Sequence, residues 1–82
     1  MELIYDKVSE NLTTKVWILG KSRTKYDYRI SIQTKIYQNG EVWETLERYN
    51  ANVNFDDNGN IKLDKQSKPY KYTSSIKELN HV

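Results

Sequence analysis

Residues 39–40, an Asn-Gly pair, lie between two segments in which apolar and polar residues alternate. Asn and Gly tolerate the positive φ angles of a two-residue turn, so this pair in this setting predicts a β-hairpin. With these two residues as the loop, Ile36 faces Trp43 and, further along, Tyr26 faces Val53. The apolar side chains then share one face of the ribbon, whereas a shift of one residue would move them all to the other face.

A second turn signal follows at residues 56–60, Asp-Asp-Asn-Gly-Asn. A two-residue loop here would place the next apolar residues on the polar face. A three-residue loop at residues 57–59, with Gly59 in the left-handed conformation, instead pairs Phe55 with Ile61 and keeps the apolar face continuous. The sequence therefore predicts three central strands that follow one another as a meander.

The flanking segments complete the predicted fold. Residues 13–19 are β-branched and aromatic and predict a strand, whereas residues 3–8 fit either a strand or a helical spacing. Ser75 and Glu78 have the spacing of a capping box, which predicts a short C-terminal helix. Long strands curl, so we expect a mainly β domain. It would be a small bent antiparallel meander sheet of four to five strands with that helix, curled toward a partly closed barrel.

The length and composition limit the class of protein. The chain has 82 residues and no cysteine, which predicts a single domain over 1–82 with a modest core and no disulfide. It contains no apolar run near the roughly 18 residues of a membrane span, and no basic-then-apolar leader. We therefore expect a cytoplasmic protein without a membrane partner.

The sequence contains few of the residues that catalysis requires. Its one histidine, His81, lies next to the C-terminus, and no glycine-rich phosphate loop is present. Asn54, Asp56 and Asn58 recur as in the first half of a calcium loop, but Lys65 stands where such a loop carries its glutamate. We expect no enzyme activity, no catalytic residue, no cofactor and no metal.

Glu47 is the exception among the acidic residues. The predicted register places it on the apolar face, opposite Ile32. The interpretation we favour is that the strand bends or bulges near Glu47 and carries its side chain to the edge. A buried ion pair and a functional acid with a raised pKa are the alternatives.

An apolar cluster is predicted on the otherwise polar face of the first hairpin. Its members are Tyr37, Val42 and Leu46, and Tyr37 lies directly opposite Val42. Such a cluster on a long ribbon is typical of a protein contact, with another protein or with a second copy in a homodimer. The alternative is that the N-terminal segment or the C-terminal helix packs on it.

Two further segments, 21–29 and 65–72, interleave basic and aromatic residues. In single-stranded nucleic-acid-binding proteins, rings stack on bases while cations follow the phosphates. The candidate residues for this alternative function are Lys21, Arg23, Lys25, Tyr26, Arg29, Lys68, Tyr70, Lys71 and Tyr72. The competing interpretation is that the tyrosines pack at the edge of the core with hydrated hydroxyls.

The function that we expect first is that of a small non-enzymatic protein-binding module. Short cysteine-free chains rich in Asn, Lys and Tyr are typical of accessory proteins of AT-rich bacteria, their phages and mobile elements. Such a protein often acts as an inhibitor by occluding a larger partner. Binding of single-stranded nucleic acid is the alternative, and the sequence does not identify the partner in either case.

Overall fold

A computed structural model of the chain describes residues 1–78, which form six antiparallel strands in one sheet. The strands are β1 (Glu2–Val8), β2 (Leu12–Lys21), β3 (Tyr28–Gln38), β4 (Glu41–Phe55), β5 (Ile61–Lys65) and β6 (Lys71–Glu78). The strands β1 to β5 are neighbours in chain order, and β6 also pairs with β4. The predicted mainly β fold with a bent antiparallel sheet is confirmed, but the sheet has six strands where four to five were predicted, and residues 3–8 lie in a strand.

The first hairpin has the register that its turn predicts. Asn39 and Gly40 have φ angles of 53° and 77°, as a tight turn of this kind needs. Ile36 lies opposite Trp43, and the β3–β4 pairing continues without a shift to the end of β3. The expected pair of Tyr26 with Val53 is wrong, because β3 begins only at Tyr28.

The second turn is the predicted three-residue loop. Gly59 has a φ angle of 79°, and Phe55 pairs with Ile61 in the β4–β5 ladder. The carboxylate oxygen Oδ1 of Asp56 accepts hydrogen bonds from the backbone N–H groups of Asn58 and Asn60, each at 2.9 Å. The pattern that resembled half of a calcium loop therefore closes a turn with its own acceptor.

The strands β5 and β6 lie in series along one edge of β4. The 15-residue β4 pairs with β6 over residues 41–48 and with β5 over residues 51–55. Between them the chain leaves the ladder at residues 66–70, which include Pro69, a residue that cannot donate a backbone hydrogen bond. The sheet is therefore a meander of five rows whose last row is interrupted once.

The core lies on one face of the sheet, which we call the concave face. Its buried members are Val16, Ile30, Tyr49 and Ala51. Side chains from both outer rows, Ile4 and Tyr5 of β1 and Ile61 and Leu63 of β5, pack against this group. The sheet is therefore curled into a half-barrel, and the opposite face is convex.

The C-terminal helix predicted from the capping box is wrong over residues 75–78. Ser75 and Ile76 lie in β6, opposite Glu44 and Trp43. The edge of β4 offers a row of backbone donors and acceptors that a strand can pair, whereas an isolated turn of helix gains few hydrogen bonds. The rest of that prediction, residues 79–82, lies outside the described residues. Within residues 1–78, no helix has the length and apolar character needed to cross a membrane.

Candidate functional site

The concave face carries an exposed apolar row at the end that contains the β3–β4 turn. The row crosses four adjacent strands through directly paired positions. We call it the apolar row; its members, with their exposed fractions, are Leu12 at 38%, Ile36 at 38%, Trp43 at 39% and Ile76 at 50%. Ile36 is six residues along β3 from fully buried Ile30, a distance of about 20 Å. The row therefore lies on the core face but beyond the part of it that the curled sheet covers.

Glu47 lies on the concave face, four residues along β4 from Trp43 of the apolar row. The β3–β4 ladder is regular at this point, with Glu47 opposite Ile32, so the predicted bulge near Glu47 is wrong. The neighbour of Glu47 on its other side is Tyr72 of β6. Within residues 1–78 the half-buried carboxylate forms no ion pair.

The predicted cluster on the convex face is only partly accessible. Val42 is 8% exposed, while Tyr37 is 38% exposed and Leu46 is half-buried. The strand β6 lies beside these residues and places Lys77 directly opposite Val42. The Nζ of Lys77 contacts the Oε2 of Glu44 at 2.9 Å. Two of the three predicted side chains therefore present surface, beside a salt bridge.

The two basic-aromatic segments meet on the convex face. Residues of both segments line one open groove of about 660 Å³, although Arg29 and Tyr70 lie 41 positions apart in the sequence. We call it the basic groove; of the predicted candidates, those that line it are Lys21, Arg23, Arg29 and Tyr70. The remaining lining residues are Ser22, Thr24 and Asn50, so the lining contains three cations and no carboxylate.

The Arg29 side chain in the lining of the basic groove is held against the backbone. Its Nε donates a hydrogen bond to the backbone oxygen of Lys21 at 3.2 Å. A Cβ atom built on Gly20 would lie 2.6 Å from its Nη2, so the absence of a side chain at Gly20 lets the guanidinium approach the backbone. The β2–β3 register shifts between Ile18 and Gly20. Such irregularities re-aim side chains next to sites.

The two loops that border the groove are joined through Asn50. Ser22 donates from its Oγ to the Oδ1 of Asn50 at 2.8 Å. The Nδ2 of Asn50 in turn donates to the Oε1 of Gln66 at 2.8 Å. Through these hydrogen bonds, loop 22–27 and loop 66–70 are held on the same strand.

The other nucleic-acid candidates lie outside the groove lining. The Nζ of Lys25 lies 5.3 Å from the centre of the half-buried Tyr26 ring, a cation–π contact. Lys68 belongs to loop 66–70, and Lys71 begins β6 opposite Arg48 on the convex face. Tyr72 follows the alternation of β6 onto the concave face. The structure therefore brings together four of the nine candidates.

The apolar row was missed because apolar alternation predicts a core face without predicting how much of it is covered. Ile36 and Trp43 were assigned to the core face, and Ile76 to a helix. A usable signal was the length of the ribbon, since β3 and β4 extend well past the reach of a core formed by 82 residues.

Comparisons with protein-family models, with curated proteins and with solved structures find no match for this chain. Its function has to be inferred from its own surfaces. Within residues 1–78 no group of three or more His, Cys, Asp or Glu side chains is placed to hold a metal. Among residues 1–78, the apolar row and the basic groove are two surfaces suited to binding.

Proposed function

We propose that this chain is a small non-enzymatic protein-binding module whose concave face receives a larger partner protein. The observation that carries the proposal is the apolar row, four side chains on four adjacent strands, each more than a third exposed. Single exposed apolar residues are ordinary on soluble proteins, but a continuous row is typical of an interaction surface. When a partner covers the row, the apolar area that is removed from water contributes a favourable free energy of about 25 cal/mol per Å².

The apolar row is also held in place before binding. Its members lie on β2, β3, β4 and β6, and ladder hydrogen bonds fix the backbone of each. Trp43 contributes a large ring with few rotatable bonds. Because this face is already ordered, binding of a partner costs little conformational entropy on this side of the contact.

Glu47 indicates the chemistry of the partner. It lies four residues along β4 from Trp43 on the same face, about 13 Å away. A carboxylate that is half-buried beside apolar side chains favours an incoming cation. The occupant that fits is an apolar ridge of another protein, flanked at about that distance by a Lys or Arg side chain. By covering this surface, the module would occlude the corresponding surface of its partner.

The test is to place a charge on each face in turn. Ile36→Glu on the concave face and Leu46→Glu on the convex face add the same charge to neighbouring strands. After affinity capture from the organism that encodes the chain, the captured partner is purified and titrated against each variant. We expect Ile36→Glu to weaken binding at least about tenfold, because a carboxylate would be desolvated in the contact. Leu46→Glu should leave the affinity unchanged.

Photo-cross-linking identifies what lies on the row. With p-benzoylphenylalanine in place of Trp43, the cross-linked partner peptide should contain apolar residues and a nearby Lys or Arg, and Glu47→Gln should weaken binding. A cross-link to a second copy of this chain would overturn the proposal in favour of a homodimer. Loss of binding by Leu46→Glu alone would move the contact to the convex cluster that contains Tyr37.

A further inference from the structure

We propose that the basic groove binds single-stranded nucleic acid, independently of any partner on the concave face. The groove, at about 660 Å³, is within the size range of ligand sites. Three cations line it without a carboxylate among them. Since like charges would not converge without a cost in repulsion, their convergence favours an anionic ligand.

The cations are suited to phosphate. The Nε of Arg29 donates its hydrogen bond to a backbone oxygen of the protein. Within the described residues, neither of its Nη groups has a protein acceptor. A guanidinium held by one edge can direct its remaining donors to two phosphate oxygens. Arg23 lies on the exposed loop 22–27, and Lys21, the last residue of β2, also lines the groove.

Tyr70 indicates a single strand rather than a duplex. Its backbone N–H donates to the carbonyl oxygen of Arg48 at 2.9 Å, and Pro69 before it restricts the loop. Tyr70 is 47% exposed and lines the groove, so its ring is available to stack with an unpaired base. In a duplex, base faces are covered by their neighbours and offer nothing to this ring.

The neutral side chains in the groove are already engaged with one another. Ser22 bonds Asn50 and Thr24, at 2.8 and 2.7 Å, and Asn50 bonds Gln66. They hold the loops rather than present donors and acceptors to base edges. We therefore expect recognition by charge and stacking, with weak sequence preference.

The test is a fluorescence anisotropy titration of the wild-type chain with labelled oligothymidylate and oligouridylate of about 12 nucleotides. Binding should be saturable at low salt and weaken as salt rises. Arg23→Glu should weaken it about tenfold or more and reduce the salt slope by about 0.7 per lost phosphate contact. The matched control is Lys62→Glu, the same charge change at an exposed position of β5 that does not line the groove.

Two further variants separate geometry from charge. Gly20→Ala leaves the net charge unchanged but displaces the guanidinium of Arg29, so it should weaken binding about threefold or more while the fold is retained. Tyr70→Leu should weaken single-strand binding at least about fivefold, which corresponds to the smallest free energy usually lost when a stacking ring is removed. Tyr70→Phe keeps the ring and should leave the affinity unchanged.

Three results would overturn the assignment. One is the absence of oligonucleotide binding at ~100 µM and low salt, the weak end of non-specific affinities. The second is duplex binding as tight as single-strand binding with no effect of Tyr70→Leu. The third is saturable binding of a polyglutamate peptide, but no oligonucleotide, with the same dependence on Arg23, which would make the ligand an acidic protein.

Discussion

The side-chain oxygen Oε1 of Gln66 accepts two hydrogen bonds from Asn50, one from the backbone N–H and one from Nδ2, both at 2.8 Å. The backbone N–H of Gln66 donates in return to the carbonyl oxygen of Asn50 at 3.1 Å. At this point β5 has ended and β6 has not begun, so β4 lacks a strand partner on this edge. The Gln66 side chain therefore takes the place of a missing backbone carbonyl.

We predict that Gln66→Ala lowers the free energy of unfolding by about 1–3 kcal/mol, because it leaves the half-buried Asn50 donors without their acceptor. Urea denaturation measures this change. Gln66→Glu keeps an acceptor and should cost less, and Ser67→Ala, at an exposed position of the same loop, is the control. Equal stability of Gln66→Ala and wild type would show that water replaces the acceptor.

We predict that two isoleucines on the same face of β3 differ sharply in their contribution to stability. Ile30 is fully buried, so Ile30→Ala should cost about 2–5 kcal/mol. Ile36 is 38% exposed in the apolar row, so Ile36→Ala should cost about 1 kcal/mol or less. Thermal and urea denaturation of both variants check this. Similar costs at the two positions would mean that the row is covered in solution.

We predict a pH-dependent contribution from Glu44. Its hydrogen bonds from Lys77 and Gln33, each 2.9 Å long, hold its pKa below the ordinary value of 4.5. A lowered native pKa adds stability above the unfolded pKa, and this stability is lost as the pH falls through the native value. Lys77 is 63% exposed, so solvent screens the pair and its contribution is only about 0.2–1 kcal/mol.

Glu44→Gln should therefore be less stable than wild type by that amount near neutral pH, and the difference should shrink toward zero in acid. Urea denaturation across this pH range measures the difference. The double variant with Lys77→Gln should add little to Glu44→Gln. A constant gap at all pH values would assign the loss to packing instead of charge.

We predict that two glycines respond differently to alanine. Gly59 has a φ angle of 79°, and Gly59→Ala should cost about 1 kcal/mol although nothing lies within 4 Å of the new Cβ. Gly20 has no such backbone conformation, and its close neighbour is the flexible end of Arg29. Gly20→Ala should therefore change stability by less than about 0.5 kcal/mol. Denaturation curves of the two variants give the comparison.

The turns and the central register could be predicted because their causes are local. Asn39 and Gly40 allow the φ angles of one turn, and Gly59 allows those of the other. The alternation of apolar residues then fixes which side chains share a face, since a shift of one residue would reverse them all. The pairs Ile36–Trp43 and Phe55–Ile61 follow from these two facts alone.

The remaining features depend on contacts between distant segments, which a local pattern does not contain. Ser75 and Glu78 have helical capping spacing, yet the open edge of β4 makes this segment a strand. The chain by itself determined two hairpins and a continuous apolar face. Only the tertiary structure decided that the curled sheet covers part of that face, and that Arg29 and Tyr70 meet at one groove. Curling sets both outcomes, because it depends on how strands far apart in sequence pack together.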